Sequence, residues 1–173
     1  MKKMLIAVGL LLISTQIVMA DVWQVRTVKN EFEGTSSIRI HTDYLSLNRP
    51  LDFPYQDLRA IAVVDCYDNG KDVFGLRFKQ DPNLTNYTLQ RLFGKEIHKR
   101  VAVQVKLDGG DIKTFTAYNK AGSPWLTFGE MHDSPAILAS KKVMLQMDFY
   151  KGTRHITIDM SKRQKCQTQL TKK

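Results

Sequence analysis

Residues 60–78 read AIAVVDCYDNGKDVFGLRF. Ile61, Val63 and Val64 form an apolar, β-branched run, and Asn69-Gly70 is a dipeptide suited to a two-residue hairpin. Phe74, Leu76 and Phe78 alternate with Gly75, Arg77 and Lys79, which is the period of a half-buried strand. The stretch predicts two strands joined at a tight turn. Cys66 ends the first strand, and the only other cysteine is Cys166, near the C-terminus.

What that pair of cysteines does depends on the compartment. Residues 1–20, MKKMLIAVGLLLISTQIVMA, have the layout of a secretory leader. Lys2 and Lys3 make a positive start, Met4 to Ile13 an apolar core, and Val18-Met19-Ala20 a cleavage box. The core falls short of the roughly 20 apolar residues of a membrane span. No cysteine follows the box, as a lipoprotein leader would require. The expectation is a bacterial leader removed after Ala20, a mature chain from Asp21, a periplasmic or secreted location and no membrane span afterwards. In such a chain Cys66 and Cys166 are most simply one disulfide, closing a long loop and stabilising by roughly 4–5 kcal/mol. A free redox thiol would need a low-pKa setting and a resolving partner such as CxxC, and neither is visible.

The formal charge is +9, of which Lys2 and Lys3 leave with the leader. Lys162, Arg163, Lys165, Lys172 and Lys173 gather much of the rest at the end, with no acid among them. A basic tail is either a solvated end or an attraction for anionic envelope polymer. The compartment disfavours nucleic acid, and no helix-turn-helix, zinc-finger or RNP signature appears. The length suits a single domain over 21–173, and no linker or repeat divides it.

Outward from the hairpin, Val22–Lys29 and Ile38–Thr42 read as strands. The segment 46–57, SLNRPLDFPYQD, carries two prolines with Phe53 and Tyr55 and reads as a surface crossing. In the stretch after Phe78, 80–94, Asp81-Pro82-Asn83 is turn chemistry. Two sequons, at Asn83 and Asn86, are incidental in a bacterial exported chain. Lys99–Leu107 is the cleanest strand, with Val101, Val103, Val105 and Leu107 on one face. Asp108-Gly109-Gly110-Asp111 turns it into Ile112–Asn119. A short aromatic strand follows at 123–128, then a helix of one or two turns over 136–140 with Ser134 as N-cap and Pro135 after it. Val143–Tyr150 and His155–Met160 are the last strands, and 161–170 is expected to form a short helix carrying Cys166. Short strands at roughly ten-residue spacing predict an all-β fold, an antiparallel sandwich or small barrel with one or two short helices.

Catalytic signatures are missing: there is no GxSxG, HExxH, P-loop or dinucleotide turn. His41, His98, His132 and His155 are scattered, so no metal or cofactor is expected. Asp65, Asp68 and Asp72 cluster at the hairpin without EF-hand spacing. Glu130, His132, Asp133 and Ser134 put an acid, a base and a hydroxyl in one loop, although sequence neighbours seldom converge as a triad. Phe53, Tyr55, Trp125 and Phe128 lie in proline-containing segments, where they close the core or line a binding groove. With Lys162, Arg163 and Lys165 they are the candidate binding residues.

Several segments share an order with a known group. They are Pro54-Tyr55-Gln56-Asp57-Leu58-Arg59-Ala60 leading to Cys66, Asp81-Pro82-Asn83-Leu84, VQVKLDGG at 103–110, Trp125-Leu126-Thr127-Phe128, residues 144–152, and Cys166. This order resembles small exported β-domains of proteobacteria, among them the type VI secretion accessory family called VasI or TagO. The resemblance covers roughly residues 60–166 and carries no catalytic motif. That family's N-terminal cysteine-containing segment has no counterpart here. The resemblance implies a non-enzymatic accessory protein that binds another protein of the envelope. The alternative expectation is a binder of anionic envelope polymer, or an inhibitor of a lytic enzyme that acts on it.

Overall fold

A computed structural model of the chain describes residues 22–30, 35–67, 72–92, 96–120, 122–129 and 132–166. The expected leader, the Asn69-Gly70 turn, Asp68, Glu130 and the end of the basic tail lie outside the described residues.

In chain order the elements are β1 (Trp23–Asn30), β2 (Thr35–Thr42), β3 (Leu45–Ser46), β4 (Arg59–Cys66), β5 (Val73–Phe78) and β6 (Tyr87–Leu92). There follow β7 (Glu96–Leu107), β8 (Ile112–Lys120), β9 (Trp125–Phe128), α1 (Asp133–Ala139), β10 (Lys142–Phe149) and β11 (Gly152–Asp159). The strands form one antiparallel sheet in the order β1-β2-β4-β5-β9-β8-β7-β10-β11, with β3 on β4 and β6 on β7. Of the two expected architectures, the chain takes the barrel-like one: the sheet curls into a half-barrel around its own core.

The alternation read from sequence is what curls inward. Phe74, Leu76 and Phe78 of β5, Val101, Val103 and Val105 of β7, and Val143, Leu145, Met147 and Phe149 of β10 are all buried in one core. Phe74 packs on Phe128 with ring centres 5.5 Å apart, and Phe78 meets Phe149 edge-on at 6.2 Å. Asp108 and Gly109 both take positive φ in the β7–β8 turn, the geometry of a hairpin turn whose twist matches its strands.

The open side of the half-barrel is bridged by side chains and loops. The Trp23 indole N–H donates to the Asp159 carbonyl at 2.8 Å. The Asn48 N–H donates to the His155 carbonyl at 3.0 Å, and the His155 N–H donates to Asn48 Oδ1 at 2.9 Å. One end is closed by the proline-containing crossing, whose Leu51 and Leu58 are buried and whose Tyr55 packs against the core. At the other end lie α1, with Ile137 buried, and the Cys66–Cys166 disulfide, with a Cα–Cα distance of 5.4 Å.

One strand was not expected, and two expectations change. The segment 87–92 is a strand, hydrogen-bonded to β7 from Tyr87↔Val101 to Leu92↔Glu96. It was not read from the sequence, where only Tyr87-Thr88-Leu89-Gln90 alternates beside the Asp81-Pro82-Asn83 turn, and those four residues are all exposed. Ser134 is not the helix cap. The helix starts at Asp133 after His132, and Ser134 lies inside it, fully buried. Of the expected helix over 161–170, residues 161–165 make a turn closed by the Arg163 N–H on the Met160 carbonyl, Cys166 is helical, and 167–170 lie outside the described residues.

Candidate functional site

The outer face of β1, β2, β4, β5 and β9 carries what the inner face excludes. Register places Arg26 beside Arg39, and Arg39 beside Asp65. Four residues from Asp65 along β4, Ile61 begins a row with Arg77 and Trp125 across β4, β5 and β9. Arg39 grips Asp65 with two bonds, from Nε at 2.6 Å and Nη2 at 3.1 Å. Its guanidinium carbon also lies 4.8 Å from the centre of the Trp125 ring, and that of Arg77 lies 5.6 Å from it. Between these side chains is a cleft of about 400 Å³, bordered also by Val28 and His41. Three guanidinium groups face one carboxylate there. Arg39 is paired with Asp65, whereas Arg26 and Arg77 have no carboxylate within ion-pair distance among the described residues and bring uncompensated charge.

The backbone holds this cleft in shape. Asn119, buried at the end of β8, donates from Nδ2 to the Ser123 and Trp125 carbonyls at 2.8 and 2.6 Å, which fixes the entry into β9. Gly75 lets β5 and β9 come close, since a Cβ at this position would stand 2.9 Å from the Leu126 carbonyl oxygen. At Thr42 the hydroxyl accepts the Ala62 N–H at 3.0 Å where β2 gives way to β3. The His41 Nδ1–H donates to the Thr42 carbonyl at 3.0 Å, which fixes its tautomer.

A second depression of about 610 Å³ lies on the far side of β9, bordered by Thr116, Tyr118, Thr127, Gly129, His132 and Asp133. It contains much of the loop that juxtaposed an acid, a base and a hydroxyl in the sequence. The structure separates them. Asp133 Oδ2 accepts the Thr116 N–H at 2.8 Å. The Ser134 hydroxyl is buried, donating to the Phe128 carbonyl and accepting the Phe74 N–H, both at 3.1 Å. It ties α1 to β5 and β9. Ser134→Ala leaves the buried Phe74 N–H unpaired, so a loss of about 1–3 kcal/mol in urea unfolding is expected. A change below about 0.5 kcal/mol would rule out this role for the hydroxyl.

No protein-family model, curated protein or solved structure matches this chain. The site is therefore read from its own chemistry.

The residues singled out in the sequence do not form one surface. Trp125 stands in the cleft. Phe128 is 1% exposed and its ring belongs to the core. Phe53 is 77% exposed on the crossing, while neighbouring Tyr55 packs inward. Lys162 and Lys165 are exposed near the disulfide, and Arg163 is half-buried with Nη2 on the Leu138 carbonyl at 3.1 Å. The reading missed Arg26, Arg39, Arg77 and Tyr118. Each occupies the outward phase of a strand, and only the strand pairing shows that Arg39 and Arg77 converge on one tryptophan with Arg26 beside them.

Asp72 lies beside the disulfide, its carboxylate and the two sulfurs all within 4.8 Å of one another. Because both sulfurs are bonded together, this group is not a metal centre. Burial pushes the Asp72 carboxyl above its usual range, against the Tyr67 backbone N–H and the Arg163 charge. Burial likewise lowers Arg163, with Asp72 opposing. Desolvation outweighs attraction for both partners, so the pair is weak support for this end and the covalent bond dominates it.

Proposed function

We propose that this protein is an exported, non-enzymatic binding protein of the bacterial cell envelope, and that its cleft on β1, β2, β4, β5 and β9 receives an acidic group of its partner. The observation that carries this reading is the unbalanced charge around Trp125. Like charges opposite one another across strands cost stability, and Arg26 faces Arg39 in this way. A partner carboxylate or phosphate offsets that cost when bound. The disulfide supports a place outside the cytoplasm. The segments that resemble the type VI accessory family suggest a secretion-associated setting, in which the cleft takes an acidic envelope partner.

The test uses the oxidised protein on surfaces bearing polygalacturonate, poly-glutamate or neutral dextran, at low and moderate salt. The expected result is retention on acidic surfaces alone. Arg26→Ala/Arg77→Ala should weaken it at least about tenfold, because each charge-assisted contact contributes roughly 1.5–3 kcal/mol. Lys162→Ala/Lys165→Ala separates the cleft from the basic C-terminal segment. Undiminished binding by the arginine variant, with loss in the lysine variant, would transfer the role to that segment.

A further inference from the structure

The two depressions border a single strand. Trp125 and Thr127 both point outward from β9, about 6.6 Å apart, Trp125 at the first depression and Thr127 at the second. Thr127 pairs with Gly75 on one side and Tyr118 on the other. Gly75 places no side chain between the depressions. Beyond Tyr118 the register continues to Arg100, which is exposed. From Arg26 on β1 to Tyr118 on β8 the sheet crosses five inter-strand gaps, a contour of about 24 Å.

Chemistry changes along this line. The first depression offers guanidinium groups and an indole. No lysine or arginine borders the second, which offers the Thr116 and Thr127 side chains, the Tyr118 ring and His132. Its carboxylate, Asp133, already accepts the Thr116 N–H. Beyond it Arg100 returns a positive charge. Positive ends with a hydroxyl- and ring-lined middle suit a chain whose units carry both acids and hydroxyls.

We infer that this face is a track for an acidic polysaccharide, with carboxylates at the Arg26–Arg77 end and a hydroxyl-bearing ring against Tyr118. The inference rests on the cleft reading above and names its ligand class. A folded acidic protein would meet the same charges without needing the Tyr118 depression.

The probes are di-, tetra- and octasaccharides of galacturonate and a poly-glutamate of matching charge, titrated calorimetrically against the oxidised protein. Affinity should rise at least about tenfold from disaccharide to octasaccharide as the second depression is filled. Tyr118→Ala should remove that gain and spare disaccharide binding, while Tyr118→Phe, which keeps the ring, should retain it. Thermal melts of both variants establish that they fold. An absent gain, or one indifferent to Tyr118, with the arginine dependence intact, overturns the track and leaves the acidic cleft. Poly-glutamate binding as tight as the octasaccharide overturns the polysaccharide class alone. Failure of every acidic probe overturns the track and the cleft together.

Discussion

Replacing Cys66 and Cys166 together by alanine lowers the unfolding free energy by about 4–5 kcal/mol, the loop-entropy value for a closed loop of this length. The sequence separation is 100 residues, and the loop contains every strand from β5 to β11. Both cysteines are almost fully buried, so alanine is the right replacement and a serine hydroxyl would add a desolvation cost of its own. The neighbouring Asp72 and Arg163 do not substitute for the bond, since burial disfavours the charged form of each. With a urea dependence of about 2 kcal/mol/M, the midpoint should fall by roughly 2 M. The reduced natural protein should unfold at the same midpoint as the double variant. A shift below about 0.5 M would mean that the C-terminal segment is held by its packing and that the bond adds little.

Gly75→Val should be destabilising by about 3 kcal/mol or more, and Gly75→Ala by about 1–3 kcal/mol, the range for atoms forced into a packed site. The sign is informative. At an ordinary strand position valine is favoured over glycine. Here the added Cβ would stand 2.9 Å from a backbone oxygen of β9, which cannot swing aside as a side chain does. Either β5 and β9 part or the strand shifts, and both outcomes move Arg77 relative to Trp125. The expected readouts are a lowered urea midpoint and a displaced Trp125 indole N–H resonance. A Gly75→Val protein as stable as the natural one would show that the two strands are not held at this distance.

The inner face was legible in the sequence because burial imposes a period. Val101, Val103 and Val105, and Val143 through Phe149, alternate because one side of each strand must leave water. The disulfide was legible from two cysteines and an expected leader. β6 was not, because its alternation, Tyr87-Thr88-Leu89-Gln90, is only four residues long and leads to no buried face among them. Ser134 was misread for a local reason: Ser-Pro looks like a helix start, but burial against Phe74 and Phe128 engaged the hydroxyl with strand backbone. The cleft was hidden for a longer-range reason. Arg39 lies 86 positions from Trp125 in the chain, and β2 and β9 are brought near only by the β4–β5 pair between them.

The bridges across the open side of the half-barrel have a consequence in time. Trp23 reaches Asp159 over 136 positions and Asn48 reaches His155 over 107, while at one end Cys66 meets Cys166 over 100. Each joins an early part of the chain to its last third. Contacts so distant in sequence are entropically costly to reach and slow the approach to the native state. Local hairpins such as β7–β8 and β10–β11 can form as soon as they emerge, but Trp23 of β1 and Asn48 after β3 must wait for β11 before the open side is bridged. During that interval the apolar faces of these early strands stand open to other chains, a hazard that packing into the common core removes. The order of folding is thus written into the order of the sheet: the last strand to be made is the one that the first reaches by a side chain across the open side.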